Sequence, residues 1–268
     1  HPTQALHVSD VQALAFQDPI DIALVSVKSY DTEWATTLIR QYLAPAGYVV
    51  SLQNCLNEER IAGIVGWGRT VGAIASMISV DMPEAGKVMR TIPKMGDRHT
   101  VFRAGEVHGR VSSRIEELVQ LFALVDSAKP TTNLWGERWS KLVLNGMVNG
   151  VSSATGLPVA AVNANPAMRR FSIQWAGEAI RIGQALGARV VAHPRFGRGH
   201  GNSRSLRIRR SELAEVLDVP KQVLADEQSG AHHFHLVDAL CLLTSCGHTA
   251  ITTRLDNSDW TNMQLGIV

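Results

Sequence analysis

Residues 20–54 read IDIALVSVKSYDTEWATTLIRQYLAPAGYVVSLQN, and this stretch decides the fold. Ile20 to Val27 is a short apolar run rich in β-branched residues that follows the turn signal Asp18-Pro19, so it predicts a buried strand. Helix-compatible sequence runs from Glu33 to Leu43, Ala44-Pro45-Ala46-Gly47 breaks it, and Tyr48 to Leu52 predicts a second strand. A strand, a helix and a strand in succession imply parallel pairing through a right-handed crossover, as in a doubly wound sheet.

Beyond this unit, Glu58 to Val65 reads as a short helix. Thr70 to Ser79, Lys87 to Ile92 and His99 to Arg103 are strand candidates separated by Pro and Gly. The change from crossovers to hairpin-like spacing predicts that the sheet ends in antiparallel or mixed strands. A helix returns from Val111 to Leu124, and beyond Trp135 helical periodicity dominates, with helices expected at Trp135 to Ala154, Pro166 to Leu186, Ser211 to Ala225 and Phe234 to Leu243. Gly187 supplies a stop for the second of these. The expected architecture is α/β followed by all-α, with a sheet domain over residues 1–132 and a helical domain over 133–268.

Bulk properties bound the function. A chain of 268 residues with 45% hydrophobic and 19% charged residues has ample material for a core and the composition of an ordinary globular protein. A net charge of +2 gives no global reason to expect nucleic acid or a membrane as partner. Arg189 to Arg210 holds seven arginines and no acidic residue, but it lacks aromatic interleaving, and Glu212, Glu215 and Asp218 follow at once; a solvated or internally paired loop is expected. Cys55, Cys241 and Cys246 form neither a disulfide framework nor paired zinc motifs, which fits a reducing compartment. His232-His233-Phe234-His235, with Asp238 and Cys241 nearby, lacks a second cluster to complete a metal site, so no metal is expected. No apolar run approaches the roughly 18 residues of a membrane span, and no basic-then-apolar leader opens the sequence, so a cytoplasmic location is expected.

The chemistry concentrates in Trp139-Ser140-Lys141-Leu142-Val143-Leu144-Asn145-Gly146-Met147-Val148-Asn149. Lys141, Asn145 and Asn149 lie at i, i+4 and i+8, placing an ammonium and two carboxamides on one face of a helix that is otherwise apolar nearly all round. Such a helix is normally buried. A lysine there needs a partner or a cavity, because desolvating its charge is costly. The alternative is a lysine that snorkels out of a buried helix. Carboxamides offer both donor and acceptor to a hydroxyl or a carboxylate without adding charge.

The strand Ile22 to Val27 with Lys28 after it, the strand end Leu52-Gln53-Asn54, and the Lys141/Asn145/Asn149 helix resemble, in order and spacing, three successive motifs of the ketopantoate reductase (2-dehydropantoate 2-reductase) family. The likeness runs from about Leu14 to about Pro194. It implies a Rossmann-type domain followed by a helical domain, with the active site in a cleft between them. It also implies NADPH-dependent reduction of 2-dehydropantoate, a small 2-oxo acid, to pantoate on the way to coenzyme A. By the same resemblance Lys141 is the catalytic and substrate-binding lysine and Asn145 and Asn149 are substrate-contacting amides. Lys28 and Asn54 become the cofactor contacts. A homodimer is left open as the assembly.

The sequence departs from the family in three places. No strand followed by G-x-G-x-x-G opens the chain, so the expected Rossmann-type domain is incomplete and lacks its phosphate-binding loop. Gly66-Trp67-Gly68 does not supply the loop, because it runs into a β-rich segment with Val71 where a third glycine should stand. The family usually has glycine after the asparagine, whereas this chain has Cys55, which would be strained if the turn needs a positive φ. After Pro194 the likeness fades; Arg209-Arg210-Ser211-Glu212 comes early for the family's ligand-binding glutamate, and the tail from Gly230 reads differently. Two rivals therefore stand beside the reductase: a degenerate or truncated, non-catalytic family member, and a related reductase for another 2-oxo acid.

Overall fold

The computed structural model describes residues 6–84, 87–94 and 96–191. The sequence-predicted helices at Ser211 to Ala225 and Phe234 to Leu243, the histidine cluster, Glu212 and most of the arginine-rich stretch lie outside them. A short 3-10 segment, Val8–Phe16, leads into strand β1, Ile20–Val25, and helix α1, Thr32–Arg40. Next come β2, Leu43–Ser51, and α2, Glu58–Val65. Strand β3, Thr70–Ala75, precedes the hairpin β4, Val80–Glu84, and β5, Lys87–Arg90. Strand β6, Phe102–Glu106, helix α3, Ser113–Ala123, and β7, Ala128–Pro130, complete the sheet region. Helical structure follows: α4, Leu134–Asn145, a π-helical turn, Gly146–Gly150, α5, Val151–Thr155, α6, Val159–Ala164, and α7, Pro166–Ala185.

Among the described residues the main sheet has five strands in the order β1-β2-β3-β6-β7, and β4-β5 forms a separate two-stranded ribbon. Strands β1, β2 and β3 run parallel, β6 is antiparallel to β3, and β7 is parallel to β6. The mixed sheet expected from the spacing is thus present. Strand β2 lies at its heart: Val49 and Val50 point to opposite faces and both are fully buried. Val49 packs with Ala23, Val25, Ala35 and Ile61 beneath α1 and α2, whereas Val50 joins Val71, Phe102, Ile115, Leu118 and Phe122 beneath α3. Burial on both faces explains why Tyr48 to Ser51 carries no polar alternation.

The helix expected to run to Leu43 ends at Arg40, and Ala44 to Gly47, expected to separate it from the strand, already belongs to β2 as an irregularity. Ile20 pairs with Leu43, but Ile22 pairs with Tyr48, so the β2 side holds extra residues. The carbonyls exposed by this bulge are satisfied by Arg69, whose Nε donates to Gly47 O at 2.7 Å and whose Nη2 donates to Ala44 O at 2.6 Å. Strand β6 also starts later than the expected His99, because Ser76 Oγ engages His99 Nε2 at 3.0 Å and holds that residue in the preceding loop.

Glu106, at the end of β6, is a buried carboxylate built into a network. Arg114 grips it through Nε to Oε1 at 2.7 Å and Nη2 to Oε2 at 2.6 Å, and Ser112 Oγ donates to Oε1 at 2.5 Å. The guanidinium also covers the Tyr48 ring, 5.1 Å from its centroid. Burial works to raise the Glu106 carboxyl, but the hydrogen bonds from Arg114 and Ser112, with the charge of Arg114, outweigh it and hold the group below its ordinary value.

The chain forms two compact units. Among the described residues the first comprises 6–53 and 57–134, and the second comprises 135–191 together with the tripeptide Asn54–Leu56. That tripeptide turns at Cys55 with φ 73°, the left-handed conformation whose cost the sequence raised as a condition. The Cys55 side chain is buried with Trp139, Leu142, Ile182 and Ala188.

Two stability outcomes follow from these contacts. Arg114→Met leaves a buried carboxylate without its guanidinium and is expected to lower stability to urea at pH 7 by about 3 kcal/mol. The native value of Glu106 is depressed, so its contribution is complete above its unfolded value of about 4.3 and is lost as pH falls through the native value. The difference in urea stability between wild type and Arg114→Met should therefore shrink as pH falls through that native value; a difference that stays constant with pH would contradict the assignment. At Cys55, glycine relieves a left-handed cost of about 1 kcal/mol and forfeits a comparable burial, so Cys55→Gly should stay within about 1 kcal/mol of wild type. Cys55→Val forces a β-branched residue into the same conformation and should cost about 3 kcal/mol. Equal urea midpoints for the valine and glycine variants would refute the strain argument.

Candidate active site

The carboxyl ends of β1 and β2 fix the first sequence-predicted residues, as expected of ligand positions in parallel sheets. Lys28 is exposed in the segment that leaves β1, and its carbonyl accepts from Asp31 N at 2.9 Å, closing the 3-10 turn Ser29–Asp31. Three side chains pin this segment. Gln53 Nε2 donates to Val27 O at 2.7 Å and to Thr32 Oγ1 at 2.8 Å. Asn57 Nδ2 donates to Ser29 Oγ at 3.2 Å, and Arg60 Nη1 donates to Ser29 O at 3.2 Å. The backbone beneath Lys28 is therefore preorganised by residues from the end of β2 and the start of α2.

Sequence reasoning singled out Asn54 and passed over its neighbour Gln53, which is the one that ties the two strand ends together. A signal was present. A buried glutamine after a strand needs partners for its amide, and the adjacent strand end is what lies within reach. Glu58 and Arg138, both wholly or nearly wholly buried, also went unremarked.

In the second unit, Asn54 is half-buried on the turn whose next residue, Cys55, packs against Trp139 and Leu142 of α4. Those two residues flank Lys141 in the helix. Lys141, Asn145 and Asn149 are partly accessible, whereas Leu142, Val143, Leu144, Gly146, Met147, Gly150 and Val151 are buried. The three polar residues predicted from the spacing are thus on the partly open side of the helix, which they share with Trp135, Glu137 and Val148. The helix departs from prediction in one respect: it is not continuous α-helix from Trp135 to Ala154, because a π turn intervenes over Gly146–Gly150.

This segment is held against α7 by two reciprocal contacts. A Cβ at Gly146 would lie 1.7 Å from Trp175 Cη2, and a Cβ at Gly183 would lie 2.9 Å from Trp139 Cδ2. Each helix thus contributes a tryptophan that rests on a glycine of the other, and Val143 and Met147 pack with Ala176 and Ala179 between them. Chemically, the face offers a cationic donor and amides that can each donate and accept, a set suited to a small molecule carrying a carbonyl, a carboxylate and a hydroxyl.

Gly66 to Val71 behaves as its spacing suggested. Gly66 has φ 85°, and Trp67–Arg69 makes a 3-10 turn that enters β3, not the amino end of a helix. Among the described residues no group of His, Cys, Asp and Glu could hold a metal ion, and no helix is long and apolar enough to cross a membrane.

Comparison with known proteins agrees with this arrangement. Residues 2–100 match the family model of ketopantoate reductase PanE/ApbA, and residues 133–228 match that of the ketopantoate reductase PanE/ApbA C terminal. The 2-dehydropantoate 2-reductase of Archaeoglobus fulgidus is 27% identical over 147 residues, which are 54% of this chain and 47% of that protein. The chain thus spans about half the length of this relative (47%). Among solved structures, the 2-dehydropantoate 2-reductase of Geobacter metallireducens GS-15 superposes with a TM-score of 0.58 at 22% identity, covering 84% of this chain and 72% of that one. A complex of D-mandelate dehydrogenase with NADH superposes with a TM-score of 0.55 at 15% identity, covering 65% and 56%. These structural likenesses concern the fold: a Rossmann-like sheet region and a helical region. With both halves of the family represented in order and over most of its length, the chain belongs to the ketopantoate reductase PanE/ApbA family.

Proposed function

We propose that this chain carries the catalytic face of a reductase that converts 2-dehydropantoate to pantoate with NADPH. The observation that carries the reading is that Lys141, Asn145 and Asn149 are all partly accessible, while Leu142, Val143, Leu144, Gly146 and Met147 between them are buried. When bound, the nicotinamide cofactor supplies a hydride to the carbonyl carbon. Negative charge then grows on the carbonyl oxygen. The Lys141 ammonium, placed at that oxygen, stabilises the charge and donates the proton that completes the alcohol. Asn145 and Asn149 orient the substrate through its hydroxyl and carboxylate.

The residues present suit part of the cofactor. Asn54 and Lys28 stand beyond the carboxyl ends of β2 and β1, where an amide and an ammonium can meet the nicotinamide end and an anionic group. The described residues hold no glycine-rich strand-to-helix loop for a pyrophosphate. The choice of NADPH over NADH, and of 2-dehydropantoate over another 2-oxo acid, rests on the family. That a D-mandelate dehydrogenase shares the fold makes an aryl 2-oxo acid the natural competitor to test.

The decisive experiment titrates NADPH into this chain by fluorescence, with and without 2-dehydropantoate, and then follows cofactor oxidation in the same sample. Saturable binding and turnover are expected, with kcat falling by about 100-fold or more in Lys141→Ala. Benzoylformate and NADH, run in parallel, separate the two enzymatic readings. A demonstrably folded chain that neither binds nor turns over any of these would favour the non-catalytic reading.

A further inference from the structure

On a regular helix the three polar residues that carry the proposed chemistry would share a face but not lie in one line. At about 3.6 residues per turn, eight residues overshoot two full turns by about 80°, which would carry Asn149 well to one side of Lys141. Over Gly146–Gly150 the backbone adopts the wider π turn, which takes more residues to complete a revolution and so swings Asn149 back toward the Lys141 line. Both ends of this turn are glycine.

Trp175 of α7 sits where the wide turn begins. Its six-membered ring occupies the space that a side chain at 146 would fill, with Cη2, Cζ3 and Cζ2 lying 1.7, 2.4 and 2.7 Å from an added Cβ. The same ring borders both apolar clusters of this unit. It packs against Cys55, Trp139 and Leu142, which seat the Asn54 turn, and against Val143 and Met147, which bracket the start of the π turn. Helices depart from regular geometry at identifiable local causes, and here the ring packed on the Gly146 backbone stands at the point where the departure starts.

We propose that Trp175 is a positioning residue: by seating its indole on Gly146 it holds the π turn that brings Asn149 into line with Lys141 and Asn145 to receive a 2-oxo acid. The proposal rests on the reading of the active face given above. The effect of Trp175 is transmitted through the backbone of Gly146–Gly150.

Two readouts test it. Backbone 13C and 15N chemical shifts of Gly146 to Gly150, recorded on the isotope-labelled chain without ligand, report the turn directly. In Trp175→Ala they should move toward regular α-helical values, and in Trp175→Phe they should stay near wild type. In steady-state assays with NADPH, Trp175→Ala should raise KM for 2-dehydropantoate about tenfold with little change in kcat, the pattern of a lost binding hydrogen bond. Trp175→Phe should restore it. In the Asn149→Ala background, Trp175→Ala should raise KM no further, because both changes remove the same contact. Unchanged shifts in Trp175→Ala, or additive effects on KM, would overturn the proposal. Should Trp175→Ala fail to fold, Trp175→Leu carries the same comparisons. A wild-type chain without turnover would overturn the reading of the face and the role given to Asn149, while the shifts would still decide whether Trp175 holds the turn.

Discussion

The first unit depends on the double-sided burial of β2. With Val49 and Val50 both fully enclosed on opposite faces, the strand cannot slip by one residue without exchanging the contents of two cores. Its register against β1 and β3 is therefore fixed, and so is the point at which Gln53 and Asn54 emerge. The bulge at Ala44 to Gly47 absorbs the mismatch in length before this point, and Arg69 satisfies the carbonyls it exposes. An asparagine that looks like a loop residue is placed by the most constrained strand of the sheet.

The second unit depends on an interlock of another kind. Trp139 rests on Gly183 and Trp175 rests on Gly146, so the two long helices approach each other at two points where only a hydrogen can be accommodated. Large aromatic surfaces filling glycine notches fix both the separation and the sliding of the pair, since a shift along the axis would drive a ring into a backbone with a Cβ. Lys141 lies between the two contacts in sequence. Its setting is rigid for this reason, while the lysine itself stays on the partly open side.

Much of this was legible in the chain. The strand, helix and strand of residues 20–54, the helix Glu58–Val65, the mixed character of the sheet and the long helix from Pro166 all follow from apolar periodicity and from Gly and Pro punctuation. The polar line on α4 was legible because three residues at helical spacing interrupt an apolar field. What stayed hidden depends on partners remote in sequence. The π turn needs Trp175, about thirty residues away, and no local pattern in Gly146 to Gly150 separates it from an α-helix weakened by glycine. Ala44 to Gly47 reads as a break because Pro and Gly normally are one, and only Arg69 makes it tolerable as strand. Burial of Glu106 required Arg114, eight residues further on, to turn back toward it.

The tripeptide Asn54–Leu56 has a consequence for how the molecule assembles. Its flanks on both sides belong to the sheet unit, yet Cys55 is embedded among Trp139, Leu142, Ile182 and Ala188, more than eighty residues later. Contacts across such separations form late in folding, after local helices and the parallel strands have been searched out, because long loops must close first. The helical unit is accordingly not an autonomous folding segment that starts at residue 135; its core is incomplete until the chain that emerges from β2 has delivered a cysteine into it. The corner bearing Asn54 should therefore loosen early in partial unfolding.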